Sequence, residues 1–477
     1  MKEILRKGEI MCGVIGIISL NQQVSFDLYN GLLDLQHRGQ DTCGMITLSQ
    51  DKVFIHKGTG LVAKVFDEKI VNSLLGNMGV AQVRYPTTKG KVDAQPFYED
   101  CGGIALAHNG NIYNDDAVRA YLQERRMYCD SDCDAETILK ILTHYFMTSE
   151  KPIIERCFDS ARQSMNNLNG SYSTIAVIRE EGFFAFRDPR GIRPLLWGVK
   201  RNEQGDPIAY AFASESVALE SIVDEIEDVK HGEAIFIDLS LKVTRKILKQ
   251  EQPKYCMFEW VYFSRATSKL QGKSVNRVRG NLGKKLAEIY QNSPLYERLK
   301  QTPDKVIVAS VPETARPASV VFARHVGYEY KDVLEKNRFV GRIFIKPSES
   351  LRRHEVATNL KAIEEVVQNK IVFLVDDSIV RGTTSKGIVD KIRKKGAKEI
   401  HIFSTCPPIQ HPCFYGVDFP TKQELISSSK NADELAEFIG ADSVTFMDID
   451  SLSEAIGIEK DHLCLACLNG EYSTLAK

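Results

Sequence analysis

Residues Ile371 to Ser385 read IVFLVDDSIVRGTTS. Five apolar residues lead into two adjacent acids, and Arg-Gly-Thr-Thr-Ser follows shortly after. An apolar run bounded in this way predicts a strand buried on both faces of a parallel sheet. Ligands of such sheets bind beyond the carboxyl ends of the strands. Asp376 and Asp377 stand at that end, where carboxylates can accept hydrogen bonds from sugar hydroxyls. Gly382 permits a tight turn, and Thr383, Thr384 and Ser385 bring hydroxyls to the free N–H groups of a starting helix, which makes a phosphate cradle. A plain surface strand–turn–helix with a polar tip gives no reason for an acid pair beside that cradle.

The order of strand, paired acids and RGTTS resembles the phosphoribosyl diphosphate (PRPP) loop of type I phosphoribosyltransferases. The resemblance implies that Asp376, Asp377 and Ser378 meet the ribose end, and that Arg381, Gly382, Thr383, Thr384 and Ser385 hold the 5′-phosphate. It also implies Mg2+ beside Asp376, Asp377 and Thr314, held mainly by the substrate's own oxygens. Lys336, Arg338 and Arg342 of KNRFVGR are the expected cations for the departing pyrophosphate. With Arg352 and Arg353 they form a local basic cluster, whose other meaning is a solvated face.

A second set of motifs lies near the N-terminus. Cys12 opens an alternating apolar run, MCGVIGIISL, and is followed by LQHRGQD (Leu35 to Asp41), QVRYPTT (Gln82 to Thr88) and LAHNGNIYN (Leu106 to Asn114). Together they resemble the N-terminal-nucleophile glutamine amidotransferase domain. The resemblance makes Cys12 the nucleophile that attacks the glutamine side-chain amide, with its own α-amino group as base. The chemistry is coherent: a free thiol has a pKa of about 8.5, and an α-amine near about 7.7–8.0 can take its proton at neutral pH. It requires Cys12 to be the first residue of the mature chain. Residues 1–11 are therefore read as a propeptide or as the leader of an alternative start at Met11; they lack the apolar core of a secretory signal.

In the same resemblance Asn109 (side-chain amide) and Gly110 (backbone N–H) line the oxyanion hole. Arg84 can clamp the glutamine carboxylate with two parallel hydrogen bonds. CDSDCDAE offers an acid for the ammonium group. The family pattern selects Asp134, two residues before Glu136, with Asp132 as the alternative. Arg38 either orders this pocket or closes an ion pair within the domain.

Composition sets outer bounds. The chain has 477 residues, a net charge of −1 and 43% hydrophobic residues, enough for two or three ordinary globular domains. There is no basic excess to suggest nucleic acid, and no apolar run long enough to span a membrane. Eleven cysteines without an export signal argue against a disulfide framework. Cys256, Cys413 and the CLAC pair Cys464 and Cys467 match the contexts that ligate a [4Fe–4S] cluster in relatives, with tetrahedral zinc the competing occupant. Cys43, Cys101, Cys129, Cys133, Cys157 and Cys406 are read as packing residues.

Strand-like and helix-like runs interleave from Cys12 to about residue 245, and FRDPRGIRPLLWG (Phe186 to Gly198) adds to the amidotransferase resemblance. The expected architecture is an α/β chain: a four-layer αββα N-terminal-nucleophile sandwich over 12–245, then a type I phosphoribosyltransferase doubly wound parallel sheet over 246–477, with a polar linker near KILKQEQPK. This order resembles the glutamine PRPP amidotransferase family. The resemblance implies transfer of glutamine nitrogen to PRPP as the first committed step of purine synthesis, an internal ammonia passage, a cytoplasmic homotetramer and purine nucleotide inhibitors. Departures from the family pattern fall at Gln82, Ala266, Thr267, Glu313, Thr314, Ala357, Asn359 and Lys361. They motivate a rival expectation, a regulatory paralogue that binds PRPP or nucleotide without turnover. A glucosamine-phosphate synthase would need sugar isomerase repeats where VDDSIVRGTTS stands.

Overall fold

The computed structural model describes residues 10–49, 52–85, 93–336, 360–417, 419 and 421–474. The expectations placed on Arg338, Arg342, Arg352, Arg353, Ala357 and Asn359 lie outside these residues.

Strand Ile10–Ser19 alternates cleanly: Val14 and Ile18 enter one apolar core, and Ile15 and Ile17 enter another on the opposite face. That period of two fixes it as an interior strand. It sits in a seven-stranded sheet in the spatial order Glu225–Asp228, Leu196–Arg201, Pro207–Ala213, Ile10–Ser19, Met78–Tyr85, Thr42–Ser49, Lys52–Thr59. A second sheet runs Val243–Ile247, Glu233–Asp238, Gly182–Arg187, Gly170–Ile178, Ile104–Ile112, Phe97–Glu99. Both sheets are antiparallel. Their inner faces share one core, with Val14, Ile46 and Val80 from the first against Ala105, Ile175 and Phe183 from the second. Helix Ser25–Asp34 lays Leu28 and Leu32 on the outer face of the first sheet, and helices Asp134–Met147 and Ile153–Asn167 cover the second. Helix, sheet, sheet and helix stack as the expected αββα sandwich. The polar stretch from Lys246 begins inside the last strand of the second sheet, where Ala234 faces Lys246.

The C-terminal part is built on five parallel strands in the order Glu329–Tyr330, Val306–Ser310, Ile371–Asp376, Glu399–Ser404, Ser443–Phe446. Numbered along the chain, this order is 2-1-3-4-5, so the topology reverses between Val306–Ser310 and Ile371–Asp376. Strand Ile371–Asp376 is buried throughout. Phe373 and Val375 face helices Val275–Gln291 and Arg316–Val326, while Val372 and Leu374 face helices Thr383–Lys394 and Ala432–Ile439. Coverage from both sides is why the run carries no polar alternation.

The two parts share an apolar core. The outer face of the first sheet is continuous with Met257, Phe258, Trp260 and Phe263, and from there with Phe373 and Phe403. The tail returns to this junction, because Cys256 pairs with Cys464 in a short parallel ladder. No helix among the described residues is long and apolar enough to cross a membrane.

Candidate active site

Cys12 lies where the first strand loses regular register, and its backbone partner across the ladder is Arg84. Arg84 is flanked on its other side by Thr42. Cys12 and Arg84, the expected nucleophile and carboxylate clamp, are thus placed by strand pairing rather than by a loop. Cys12 is buried. The turn LQHRGQD packs directly on this spot: a side chain on Gly39 would approach the Arg84 nitrogen to 2.2 Å, so only glycine fits.

The HNGN segment forms the end of strand Ile104–Ile112. Asn109 Nδ2 lies 3.4 Å from Ser214 Oγ, and the Ser214 hydroxyl also accepts the Val14 N–H at 3.1 Å. Ser214 therefore ties the Asn109 side chain to the strand that carries Cys12. Asp134 opens helix Asp134–Met147 and is buried. His108 Nε2 lies 3.1 Å from its Oδ1, and the Ile112 N–H donates to its Oδ2 at 3.1 Å. Of the two candidate acids, Asp134 is the one buried and bonded to the HNGN strand; Asp132 is exposed.

Arg38 is fully buried, and its partners settle which kind of ion pair it makes. It bonds Glu215 in the first part of the chain and Glu259 in the second, with Ser264 Oγ 3.2 Å from Nη2. Arg193 joins Glu259 at 3.0 Å, and His37 joins Glu215 at 2.7 Å. Burial raises both carboxyls, but the Arg38 charge outweighs it, helped by His37 at Glu215 and Arg193 at Glu259, so both end below the usual carboxylate range. The bridge spans the two parts instead of staying inside one domain. Sequence inspection missed Ser214, Glu215 and Glu259, whose partners are roughly 100 to 220 positions away; the only trace was the polar SES after an apolar strand. It also read Cys133 as packing. Its sulfur instead lies 2.8 Å from Arg84 Nη1.

At the C-terminal part, the topological switch point brings Asp376, Asp377 and the Val311–Thr314 turn to one crevice. Asp376 is buried and Asp377 half-buried. The Asp377 N–H donates to Asp376 Oδ1 at 2.9 Å, and Ser378 Oγ donates to Asp377 Oδ1 at 2.9 Å. Burial pushes both carboxyls up, and the Asp377 charge raises Asp376 further. Arg279, itself pushed down to about 10 by burial, pulls Asp377 back only in part. Gly382 caps helix Thr383–Lys394 at φ +70°. Arg381 bonds Glu424 at 3.0 Å. Lys336 is exposed at the end of strand Leu334–Lys336, opposite Leu360.

Cys256, Cys413, Cys464 and Cys467 gather at the junction. Each thiol is raised by burial, Cys256 to about 11, and the charges of neighbouring members of the set raise Cys256, Cys464 and Cys467 further. The Tyr415 N–H points at Cys413 Sγ at 3.3 Å. Among the described residues, no three His, Cys, Asp or Glu side chains already close on a point that would hold a metal ion. Four cysteine sulfurs are the donor chemistry that an iron–sulfur cluster or zinc takes.

Comparison with known proteins agrees with this anatomy. A glutamine amidotransferase domain family model matches residues 82–221. The amidophosphoribosyltransferase of Methanothermobacter thermautotrophicus is 37% identical over 97% of this chain and 94% of its own length. That of Escherichia coli is 38% identical over 97% and 93%. The solved glutamine PRPP amidotransferase of Bacillus subtilis, complexed with ADP and GMP, superposes with a TM-score of 0.84 at 34% identity, covering 97% of this chain and 98% of the other. The chain belongs to the amidophosphoribosyltransferase family.

Proposed function

We propose that the chain performs its family's reaction with two sites divided as 12–245 and 246–477. The enzyme transfers the amide nitrogen of glutamine to PRPP, giving 5-phosphoribosylamine, glutamate and pyrophosphate, the first committed step of purine synthesis. Removal of residues 1–11 exposes the Cys12 amine opposite Arg84, the clamp for the glutamine carboxylate, and Asp134 receives the ammonium group. The amine takes the thiol proton as sulfur attacks the carboxamide carbon. Asn109 Nδ2 and the Gly110 N–H donate to the oxyanion. Ammonia leaves, and water hydrolyses the glutamyl thioester to glutamate.

Ammonia then passes to the second site through a dry internal passage, where it stays unprotonated. It attacks the anomeric carbon of PRPP and displaces pyrophosphate. Asp376, Asp377 and Ser378 hold the ribose end; Arg381, Gly382, Thr383, Thr384 and Ser385 hold the 5′-phosphate. Lys336, Arg338, Arg342 and Thr314 receive the pyrophosphate. Asp376, Asp377 and Thr314 would hold Mg2+, which would supply positive charge to the leaving group. Cys256, Cys413, Cys464 and Cys467 would hold a [4Fe–4S] cluster that fastens the tail to the junction, a structural task. A cytoplasmic homotetramer inhibited by purine nucleotides completes the proposal, and the nucleotides bound to the Bacillus subtilis relative support its last part.

The observation that carries the proposal is the Cys12–Arg84 strand pairing with Asp134 anchored beside it. Anaerobic protein given glutamine, PRPP and Mg2+ should release glutamate and pyrophosphate together, with Cys12 at the amino terminus by intact mass. Binding without either product would favour the regulatory paralogue. Iron and acid-labile sulfide analysis distinguishes a cluster from zinc.

A further inference from the structure

Cys133 occupies the N-cap position of helix Asp134–Met147, where a short polar side chain ordinarily caps the helix. Its side chain makes no cap bond. It turns inward instead and is 1% exposed. The sulfur lies 2.8 Å from Arg84 Nη1, 3.7 Å from Gln95 Nε2 and 3.9 Å from Asp134 Oδ1. The same Arg84 nitrogen donates to the Asp93 carbonyl at 2.7 Å. A single atom therefore touches both ends of the pocket proposed for the glutamine head group, the carboxylate clamp and the ammonium acceptor.

The loop that delivers this sulfur is held from several sides. The Glu136 carboxylate accepts the Asp130 and Ser131 N–H groups at 2.8 Å each. Arg119 donates to the Ser131 carbonyl at 2.7 Å and to the Cys133 carbonyl at 3.0 Å. Gln95, which reaches the sulfur, is itself fixed because its Oε1 accepts the His108 N–H at 2.8 Å. His108 in turn contacts Asp134.

We infer that Cys133 is a positioning residue of the glutamine site, holding the Arg84 guanidinium at a fixed separation from Asp134 so that the pocket selects an α-amino acid head group. This rests on the proposed glutamine pocket. Its chemistry needs an acceptor toward Arg84 and Gln95 and a donor toward Asp134, which a thiol or a hydroxyl supplies and a methyl group does not.

The test compares Cys133→Ser with the near-isosteric Cys133→Val in the complete, processed enzyme. The valine variant is expected to raise KM for glutamine about tenfold while kcat changes less, the signature of a lost contact to a charged group. Serine is expected to keep KM near that of the parent. Unchanged KM in the valine variant overturns the inference. So does an equal loss in both variants accompanied by a lowered unfolding midpoint, which would mark a folding role. Cys12→Ala is run in parallel: glutamine hydrolysis that survives it would sink the pocket assignment itself, a result distinct from either outcome at Cys133.

Discussion

The two ligand sites follow opposite electrostatic plans. Around the Cys12 pocket, buried charges arrive with partners: Arg38 lies between Glu215 and Glu259, and His108 faces Asp134. In the crevice proposed for PRPP, Asp376 and Asp377 stand side by side, raised by burial, with the Asp377 charge adding to the rise at Asp376. Glutamine is a zwitterion and needs an equal number of fixed charges, so its pocket can be finished before it arrives. PRPP brings several negative charges and its metal, so a crevice that holds it must stay electrically incomplete until it binds. An unpaired buried carboxylate is tolerable only if ligand or protons supply the missing positive charge.

The largest expected effect separates the two sites chemically. Cys12→Ser should lower glutamine-dependent synthesis by about 10⁴-fold, because a weak alcohol nucleophile replaces a thiol. Ammonia-dependent synthesis, which needs only the second site, should persist. Equal loss of both activities would break the division.

Next comes the charge bridge. Glu259→Ala leaves Arg38 and Arg193 facing each other in a dry junction, and removing one member of a buried pair costs about 3–5 kcal/mol. A large fall in the denaturant midpoint is expected, with Glu259→Gln falling less. Replacing Arg38, Arg193, Glu215 and Glu259 together by apolar residues is expected to recover much of the loss, which would show that the bridge sets the geometry of the junction more than its stability.

The same contrast gives the two regions opposite responses to pH. Asp377 is raised from its ordinary 3.8 to about 6, so its ionisation opposes folding. Its contribution is intact below about pH 4 and is lost as pH rises through 6. Glu215 and Glu259 are depressed below their ordinary 4.5, so their contribution is present above that value and is lost as pH falls. Thermal midpoints should therefore decline on both sides. Asp377→Asn should flatten the decline between pH 5 and 7, and Mg2+ with PRPP should do the same by stabilising the ionised pair. A midpoint that rises through pH 6 in the ligand-free enzyme would contradict the open-crevice account.

How much of this was legible in the chain depended on how local its cause is. The strand Ile371–Asp376 and the cradle beginning at Gly382 are contiguous, and their roles follow from a buried run and a glycine turn. The Cys12 pocket was legible by resemblance, because HNGN and D-A-E are short and ordered. What escaped was built from partners far apart in sequence. Arg38 reads as a lone basic residue until Glu259 is brought 221 positions back to it. Cys133 looks like one more small buried residue until helix Asp134–Met147 turns its sulfur toward Arg84. Neither contact has a local signature: one joins the turn Gln36–Arg38 to the segment Glu259–Phe263, and the other joins an interior strand to the start of a helix.

The smallest effect probes the cradle itself. Gly382 sits at φ +70°, and a β-carbon there would come within 3.3 Å of the Phe438 ring. Gly382→Ala should cost about 1 kcal/mol from the left-handed backbone alone, with the ring contact adding to it. If the cradle works by aiming the N–H groups of Thr383, Thr384 and Ser385 at a phosphate, the substitution should raise KM for PRPP severalfold and leave KM for glutamine unchanged. The opposite pattern, a stability loss with PRPP affinity intact, would mean that the turn only terminates the helix and that the phosphate is held by side chains. Measuring both constants on one variant therefore tests whether the second site, open as its acids leave it, is nevertheless preorganised at its phosphate end.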